Sequence, residues 1–172
     1  ARNLLSAIRK STSIRTLTLP YNVATKRLCT FLRRNRTVTS LNFLHHVKPH
    51  HVKPHDVKPG VTGHNATPMD VKVAKAIVKA AKRTGVINTL CGINNGQTAL
   101  YLSQRNLLSF GAVLLAFDLE FNNALKNLKN ANLAANDIGN EGAIAISSAL
   151  ESNTTLTDLN LQARQYGSNV VR

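Results

Sequence analysis

The chain has 172 residues, of which 22 are Lys or Arg and 8 are Asp or Glu, so that its formal net charge is +14. This length allows one well-buried core, and a hydrophobic content of 43% is ordinary for a folded soluble protein. No run approaches the roughly 20 apolar residues that a membrane-spanning helix needs, which excludes such a helix. Aromatic residues are only 5% and Trp is absent. A core of small aliphatic side chains suits thin, repeated layers.

The positive charge is concentrated at the front of the chain. Residues 1–60 carry +11, residues 61–117 carry +5 and residues 118–172 carry −2. A field of this sign favours an anionic partner, such as RNA, an acidic protein or a membrane surface. Cys29 and Cys91 fit no paired metal or redox spacing. We therefore expect reduced core cysteines in an intracellular protein, with cytoplasm and organelle both open.

In chain order, the first elements form a short repeated pattern. A helix around Ile8 precedes two predicted strands, 14–19 and 38–43, which are 24 residues apart, and a second helix around Leu28 lies between these strands. Because the chain begins inside this pattern, we expect a fragment of a longer repeated array.

Residues 45–69 are predicted to form an insertion rich in His, Lys and Pro. Three tandem pentapeptides occupy 46–60, and the proline in each prevents continuous helix. All histidines of the chain lie in or beside this insertion: His45, His46, His50, His51, His55 and His64. Clustered imidazoles are good ligands for zinc or nickel, which makes a metal site one hypothesis. The other is a mobile loop without metal, which we favour because no Cys or regular ligand spacing accompanies the histidines.

A helix is predicted after the insertion, from Asp70 to Arg83. Its apolar residues share one face, and lysines fall on the opposite face at helical spacing. With the basic turn at 33–36 they form a candidate anion or partner contact, which comprises Arg33, Arg34, Arg36, Lys72, Lys75, Lys79, Lys82 and Arg83. A solvated helix face is the commonest origin of such a stripe, and phosphate contact is the functional alternative. Because aromatic residues are missing nearby, any nucleic-acid contact is expected with backbone phosphates.

The second half of the chain repeats a strand, a turn and a helix. A strand at 98–102 and its helix match a later strand and helix at a constant offset of 31, and a last strand at 156–161 follows after another 28 residues. Two registers are open for the middle strand, 128–133 and 125–130. Each unit leaves an apolar face uncovered and needs like neighbours on both sides.

Residues 125–161 resemble the ribonuclease-inhibitor type of leucine-rich repeat in a divergent, protist-like form, through an LxxLxLxxNxI-like pattern that begins at Leu128 and contains Asn136. The resemblance implies an α/β leucine-rich-repeat solenoid, with parallel strands on the concave side and helices on the convex side. It also implies that the Asn136 side chain bonds backbone groups of the loop after the strand. Ala131 departs from the pattern, and Arg105 stands at the Asn position of the preceding repeat.

The resemblance also sets the expected organisation of the chain. Segment 88–93 is similar to a connector between repeats in such divergent members. We expect N-terminal repeats at 1–44, the insertion at 45–69 and C-terminal repeats at 70–172, all in one continuous solenoid.

No catalytic site or cofactor is predicted. The chain lacks the common phosphate-loop, dinucleotide-binding, nucleophile-elbow and zinc-protease motifs. Its carboxylates are expected on turns, where they form no constellation with the histidines of the insertion. The glycosylation sequons at Asn35, Asn65 and Asn153 are interpreted as polar turns between helix and strand.

The sequence therefore favours a non-enzymatic interaction or scaffold subunit of a larger assembly, with other protein subunits as partners. The alternative is a basic ribonucleoprotein subunit, for example of an organellar ribosome, that contacts RNA phosphates. On the concave face, the outward strand positions are nearly uncharged, and the candidate contacts there are Tyr101, Asp158 and Asn160.

Overall fold

The computed structural model describes residues 5, 7, 8, 10–19, 25–44, 71–94, 96–121 and 127–163. In these residues short parallel strands and four helices with defined bounds form a mixed α/β fold. The strands are β1 (Thr16–Thr18), β2 (Ser40–Asn42), β3 (Ala99–Tyr101), β4 (Asn130–Asn132) and β5 (Asp158–Asn160). The helices are α1 (Thr25–Arg34), α2 (Val71–Thr84), α3 (Leu108–Phe121) and α4 (Gly139–Leu150). The predicted insertion at 45–69, with its histidines and the Asn65 sequon, lies outside the described residues.

Strand pairing follows the offsets found in the sequence. Strand β1 pairs in parallel with β2 at an offset of 24, β3 pairs with β4 at 31, and β4 pairs with β5 at 28. The aligned central positions of the last three strands are Leu100, Ala131 and Leu159. This register places Leu128 and Leu133 inside the core, so the strand at 128–133 is correct and the alternative at 125–130 is wrong.

Segment 88–91, part of the connector that the resemblance suggests, pairs with β2. The Leu41 N–H of β2 donates to the Thr89 carbonyl at 2.8 Å, and the Phe43 N–H donates to the Leu90 carbonyl at 3.1 Å. The segment therefore lies beside β2 as a strand-like neighbour. In the described residues the sheet divides after this segment, because β3, β4 and β5 form a second sheet.

Neighbouring helices pack against one another in chain order, and the buried apolar side chains form one continuous core. Helix α3 is buried along its whole length from Phe110 to Leu119, since it lies between α2 and α4. Helix α3 approaches α4 closely at Gly142. A Cβ atom added at Gly142 would lie only 2.7 Å from the Cβ atom of Ala112. Gly142 thus faces inward, whereas the next residue, Ala143, is exposed.

The loops after β3 and β4 have the same backbone conformation. Left-handed φ angles occur at Gln104, Asn106 and Leu108 after β3, and at Ala135, Asp137 and Gly139 after β4. Each residue of the first set corresponds to one of the second at the offset of 31 that also relates the strands. Left-handed conformations are uncommon outside glycine, so their shared pattern shows that the two loops are equivalent.

Asn136 holds these two loops together, as the sequence resemblance implies. Its amide nitrogen donates to the carbonyls of Leu102 at 2.6 Å and Leu133 at 2.8 Å. Its oxygen accepts from the N–H groups of Arg105 at 2.8 Å and Leu107 at 3.3 Å. The loop at Arg105, which has no Asn of its own at that position, is therefore bonded by the Asn of the next loop.

Asn35 and Asn153 occupy equivalent turns between a helix and a strand. The Asn35 oxygen accepts from the Val38 N–H at 3.0 Å, and the Asn153 oxygen accepts from the Leu156 N–H at 2.9 Å. Asn35 is fully buried, and the Asn153 amide also donates to the Leu119 carbonyl at 2.9 Å. The interpretation of these two sequons as structural turns is confirmed.

Candidate partner-binding surfaces

The outward side chains of the second sheet form a surface that we call the strand face: Ala99, Tyr101, Asn130, Asn132, Asp158 and Asn160. Tyr101, Asn132 and Asn160 share one rank across the three strands, and Asn130 and Asp158 share the next. Tyr101 is 71% exposed. The structure therefore places the predicted contacts on one face: Asp158 and Asn160 lie on β5, two strand spacings, or roughly 10 Å, from Tyr101 on β3.

A repeated hydrogen bond fixes the asparagines of this rank. Asn132 and Asn160 each accept, through the side-chain oxygen, from the N–H two residues later, at 3.1 Å and 3.0 Å. Asn42 does the same at the end of β2, at 3.0 Å. Tyr101 stands where these strands have Asn, so the aromatic ring interrupts an otherwise regular polar row. Sequence reasoning missed Asn132, although its match to Asn160 at an offset of 28 is a signal that could have found it.

The predicted basic residues are exposed on the helical side. Arg33 and Arg34 lie in the last turn of α1, Arg36 lies in the turn that follows, and the remaining five lie on α2. They occupy elements separate from the strand face. The predicted residues therefore lie on two separate candidate surfaces, one polar with an aromatic ring and one strongly cationic.

Two of these cations are engaged by carboxylates of later helices. Lys75 donates to Glu141 at 2.5 Å. Lys82 donates to Glu120 at 3.0 Å and also lies 4.2 Å from the centre of the Phe121 ring. Such exposed ion pairs stabilise a fold by only about 0.2–1 kcal/mol. Their effect here is mainly to neutralise one side of the predicted stripe.

A recess between α1 and α2 collects other members of the stripe. This α1–α2 recess has a volume of about 160 Å³ and is lined by Cys29, Arg33, Ala76, Lys79, Ala80 and Arg83. Its apolar lining comes from alanines and the buried Cys29. Burial raises the pKa of the Cys29 thiol, and the nearby charge of Arg33 lowers it. The lining therefore combines three cations with a thiol that burial keeps in its neutral form.

A wider groove follows on the other side of α2. It has a volume of about 430 Å³ and is lined by Lys75, Val78, Lys79, Lys82, Arg83 and Val113. Lys79 and Arg83 line both depressions, so they form the crest of α2 between them. The two engaged lysines lie only in this groove.

One carboxylate that the sequence places on a turn is instead buried in the last turn of α3. Asp118 is fully buried and accepts from the Thr89 hydroxyl at 2.5 Å and from the N–H groups of Leu90 at 2.6 Å and Cys91 at 3.0 Å. These N–H groups lie where the sheet divides, and Asp118 satisfies them in place of a strand. The expectation that the carboxylates lie on turns is therefore wrong for Asp118, and also for Glu120 and Glu141, which lie on α3 and α4. For Asp118, its position next to an apolar helical run was the available signal.

The surroundings of Asp118 shift the titration of two groups. Burial raises the pKa of Asp118 to about 7, while hydrogen bonds from Thr89, Leu90 and Cys91 lower it. Burial also raises the pKa of the Cys91 thiol well above its usual range, and the adjacent Asp118 charge adds to the rise. A thiol in this state is a weak nucleophile. The cluster thus functions as a structural link between α3 and segment 89–91.

In the described part of the chain, no group of three or more His, Cys, Asp or Glu side chains is placed to hold a metal ion. The same part contains no helix long and apolar enough to cross a membrane. The hypothesis of a metal at the predicted insertion lies outside these residues.

Comparisons with known proteins give a distant structural likeness. No protein-family model matches the chain, and no curated protein matches it. Among solved structures, the tropomodulin C-terminal domain of Caenorhabditis elegans is similar with a TM-score of 0.42 and 11% sequence identity, over 95% of this chain and 83% of that chain. A likeness of this size identifies neither a family nor a function.

Proposed function

We propose that the chain is a leucine-rich-repeat solenoid of the ribonuclease-inhibitor type, divided into repeats at 1–44 and 70–172 by the insertion at 45–69. Parallel pairing at regular offsets, equivalent loops after β3 and β4 and the bonding by Asn136 support this proposal. Stacked units of this kind provide an extended surface and few enclosed pockets.

We infer that the function is non-enzymatic: an interaction or scaffold subunit that binds other proteins of a larger assembly through the strand face. The observation that carries this proposal is the exposed Tyr101 ring in a row of backbone-bonded asparagines. Tyrosine offers a large, rigid contact area with a polar tip, and such residues dominate the energetics of many protein interfaces. Asparagines held by their own backbone lose little further entropy on binding.

The test is quantitative co-purification of tagged protein from its native cells. Wild type is compared with Tyr101→Ala/Asn160→Ala and with a control on the exposed side of α4, Ser147→Ala/Ser148→Ala. We expect the first variant to lose the partners that the wild type and the control retain, with weak dependence on salt. Retention of the same partners at the same level by the Tyr101 variant would contradict binding at the strand face.

A second candidate is a basic ribonucleoprotein subunit that contacts RNA phosphates. It is favoured by the distribution of charge, because the described residues before Asp118 contain no carboxylate at all. Treatment of the purified complex with ribonuclease separates the two proposals. If the complex dissociates on RNA digestion, the result would contradict a scaffold held together by protein contacts alone.

A further inference from the structure

The cations of the helical side are unequal in their surroundings. Lys75 and Lys82 are bonded to Glu141 and Glu120. Among the described residues, Lys79, Arg83 and Arg33 have no carboxylate partner, and these three line the α1–α2 recess. Among the cations that line the two depressions, those that no described carboxylate reaches are therefore the three that line the recess.

The helix dipoles oppose the charge of these three cations only weakly. Helices α1 and α2 end at Arg34 and Thr84, close to Arg33 and Arg83, and each helix end carries about half a negative charge. Two such ends amount to roughly one negative charge, against the full charges of Arg33, Lys79 and Arg83. A net cationic recess remains.

We propose that the α1–α2 recess is a phosphate-binding subsite for the backbone of RNA, with Arg33, Lys79 and Arg83 as the residues that contact its phosphates. This inference rests on the RNA-binding alternative given above and names its site. The guanidinium groups of Arg33 and Arg83 match phosphate oxygens in two-point geometry, and Lys79 supplies a third charge.

The composition around the recess favours a nucleic-acid backbone over other ligands. Its uncharged lining residues, Cys29, Ala76 and Ala80, offer neither an aromatic plane for a base nor a group that reads a base edge. Arg34 and Arg36 continue the positive surface past the end of α1. An extended row of cations fits successive phosphates of one strand better than a single anionic group.

The experiment is fluorescence anisotropy with a labelled oligouridine of about 20 nucleotides, titrated with the full chain between about 50 and 200 mM salt. The test variant is Lys79→Ala/Arg83→Ala. The matched control is Lys75→Ala/Lys82→Ala, which removes the same charge from the same helix. Thermal melts of both variants confirm folding before the titrations are compared.

We expect the wild type to bind with a slope of log affinity against log salt near −2, since three phosphate contacts to a single strand give about −0.7 each. The test variant should lose about tenfold or more in affinity and flatten the slope by about 1.4, because it removes two contacts at about 0.7 each, whereas the control changes little. Equal losses in both variants would overturn the recess as the site while leaving RNA binding intact. Absence of oligouridine binding by the wild type would overturn the RNA-binding function itself. Binding of a polyglutamate peptide by the wild type as tightly as oligouridine would overturn it as well. Tyr101→Ala is expected to leave the affinity for oligouridine unchanged.

Discussion

The stability of the fold should depend on pH through Asp118. Burial raises the pKa of this carboxyl group from 3.8 to about 7. A carboxyl group whose folded-state pKa lies above its unfolded value stabilises the fold in its protonated form. That stabilisation is complete below the unfolded pKa and is lost as the pH rises through about 7. The free energy of unfolding should therefore fall, and not rise, between weakly acidic and weakly alkaline solution.

The size of this effect follows from the shift in pKa. The rise from 3.8 to about 7 corresponds to roughly 4 kcal/mol between the two protonation states. Between about pH 5 and pH 8, the part that is lost is roughly 3 kcal/mol. This is a large fraction of the 5–15 kcal/mol that is typical of single domains, so it lies well above the error of a denaturant melt.

Urea melts of the wild type and of Asp118→Asn, at a series of pH values from about 5 to 8, measure the effect. Asparagine does not titrate, so the difference between the two proteins should change by roughly 3 kcal/mol over this range, and titration of the histidines cancels in the difference. Glu151→Gln, which alters an exposed carboxylate, should follow the wild-type profile. A wild-type profile parallel to that of Asp118→Asn would mean that the hydrogen bonds from Thr89, Leu90 and Cys91 outweigh burial and keep Asp118 ionised.

Two further predictions concern the packing of the second sheet. Asn136→Ala should lower the free energy of unfolding by about 3 kcal/mol, because it leaves buried N–H and C=O groups of two loops unpaired. Urea melts measure this change. The control Asn130→Ala, on the exposed rank of the strand face, should change the free energy of unfolding by less than about 0.5 kcal/mol. Leu159→Asp should cost about 2 kcal/mol, because Leu159 is half-buried against the core and a carboxylate there loses both packing and hydration. Hydrogen exchange should then accelerate at the Leu133 N–H, which donates to the Asn160 carbonyl. Asn160→Asp is the control on the outward side of the same strand. If the Leu133 N–H exchanges at the same rate in Leu159→Asp as in this control, Leu159 does not face inward.

The strand registers could be predicted where leucines mark the local pattern, whereas Ala131 at the centre of β4 left two registers open for that strand. Leucines at alternate positions define the inner face of a short strand, and the spacing between strands is fixed by the intervening helix. The offsets of 24, 31 and 28 could therefore be obtained by comparing the sequence with itself. The inner face of α4 was harder to assign, since it depends on how closely α3 approaches Gly142.

The polar contacts between distant elements could not be predicted in the same way. Asp118 and Thr89 are 29 residues apart, and Lys75 and Glu141 are 66 residues apart. No periodicity links such pairs, because each pairing depends on which helix lies beside which segment after folding. The same limit applies to the recess: the sequence predicts a stripe of cations on α2, but not which of them a later carboxylate reaches.

These contacts explain how an uneven charge along the chain becomes a locally cationic surface. Carboxylates are confined, among the described residues, to α3, α4 and the segments after them. Because helices stack in chain order, Glu120 and Glu141 reach α2 only from the side that faces these later helices. Neutralisation therefore stops at the crest formed by Lys79 and Arg83, and the α1 side of that crest keeps its full charge. The proposal that the α1–α2 recess binds RNA phosphates therefore predicts that a variant at Lys79 and Arg83 weakens this binding more than an equal change of charge at the paired Lys75 and Lys82.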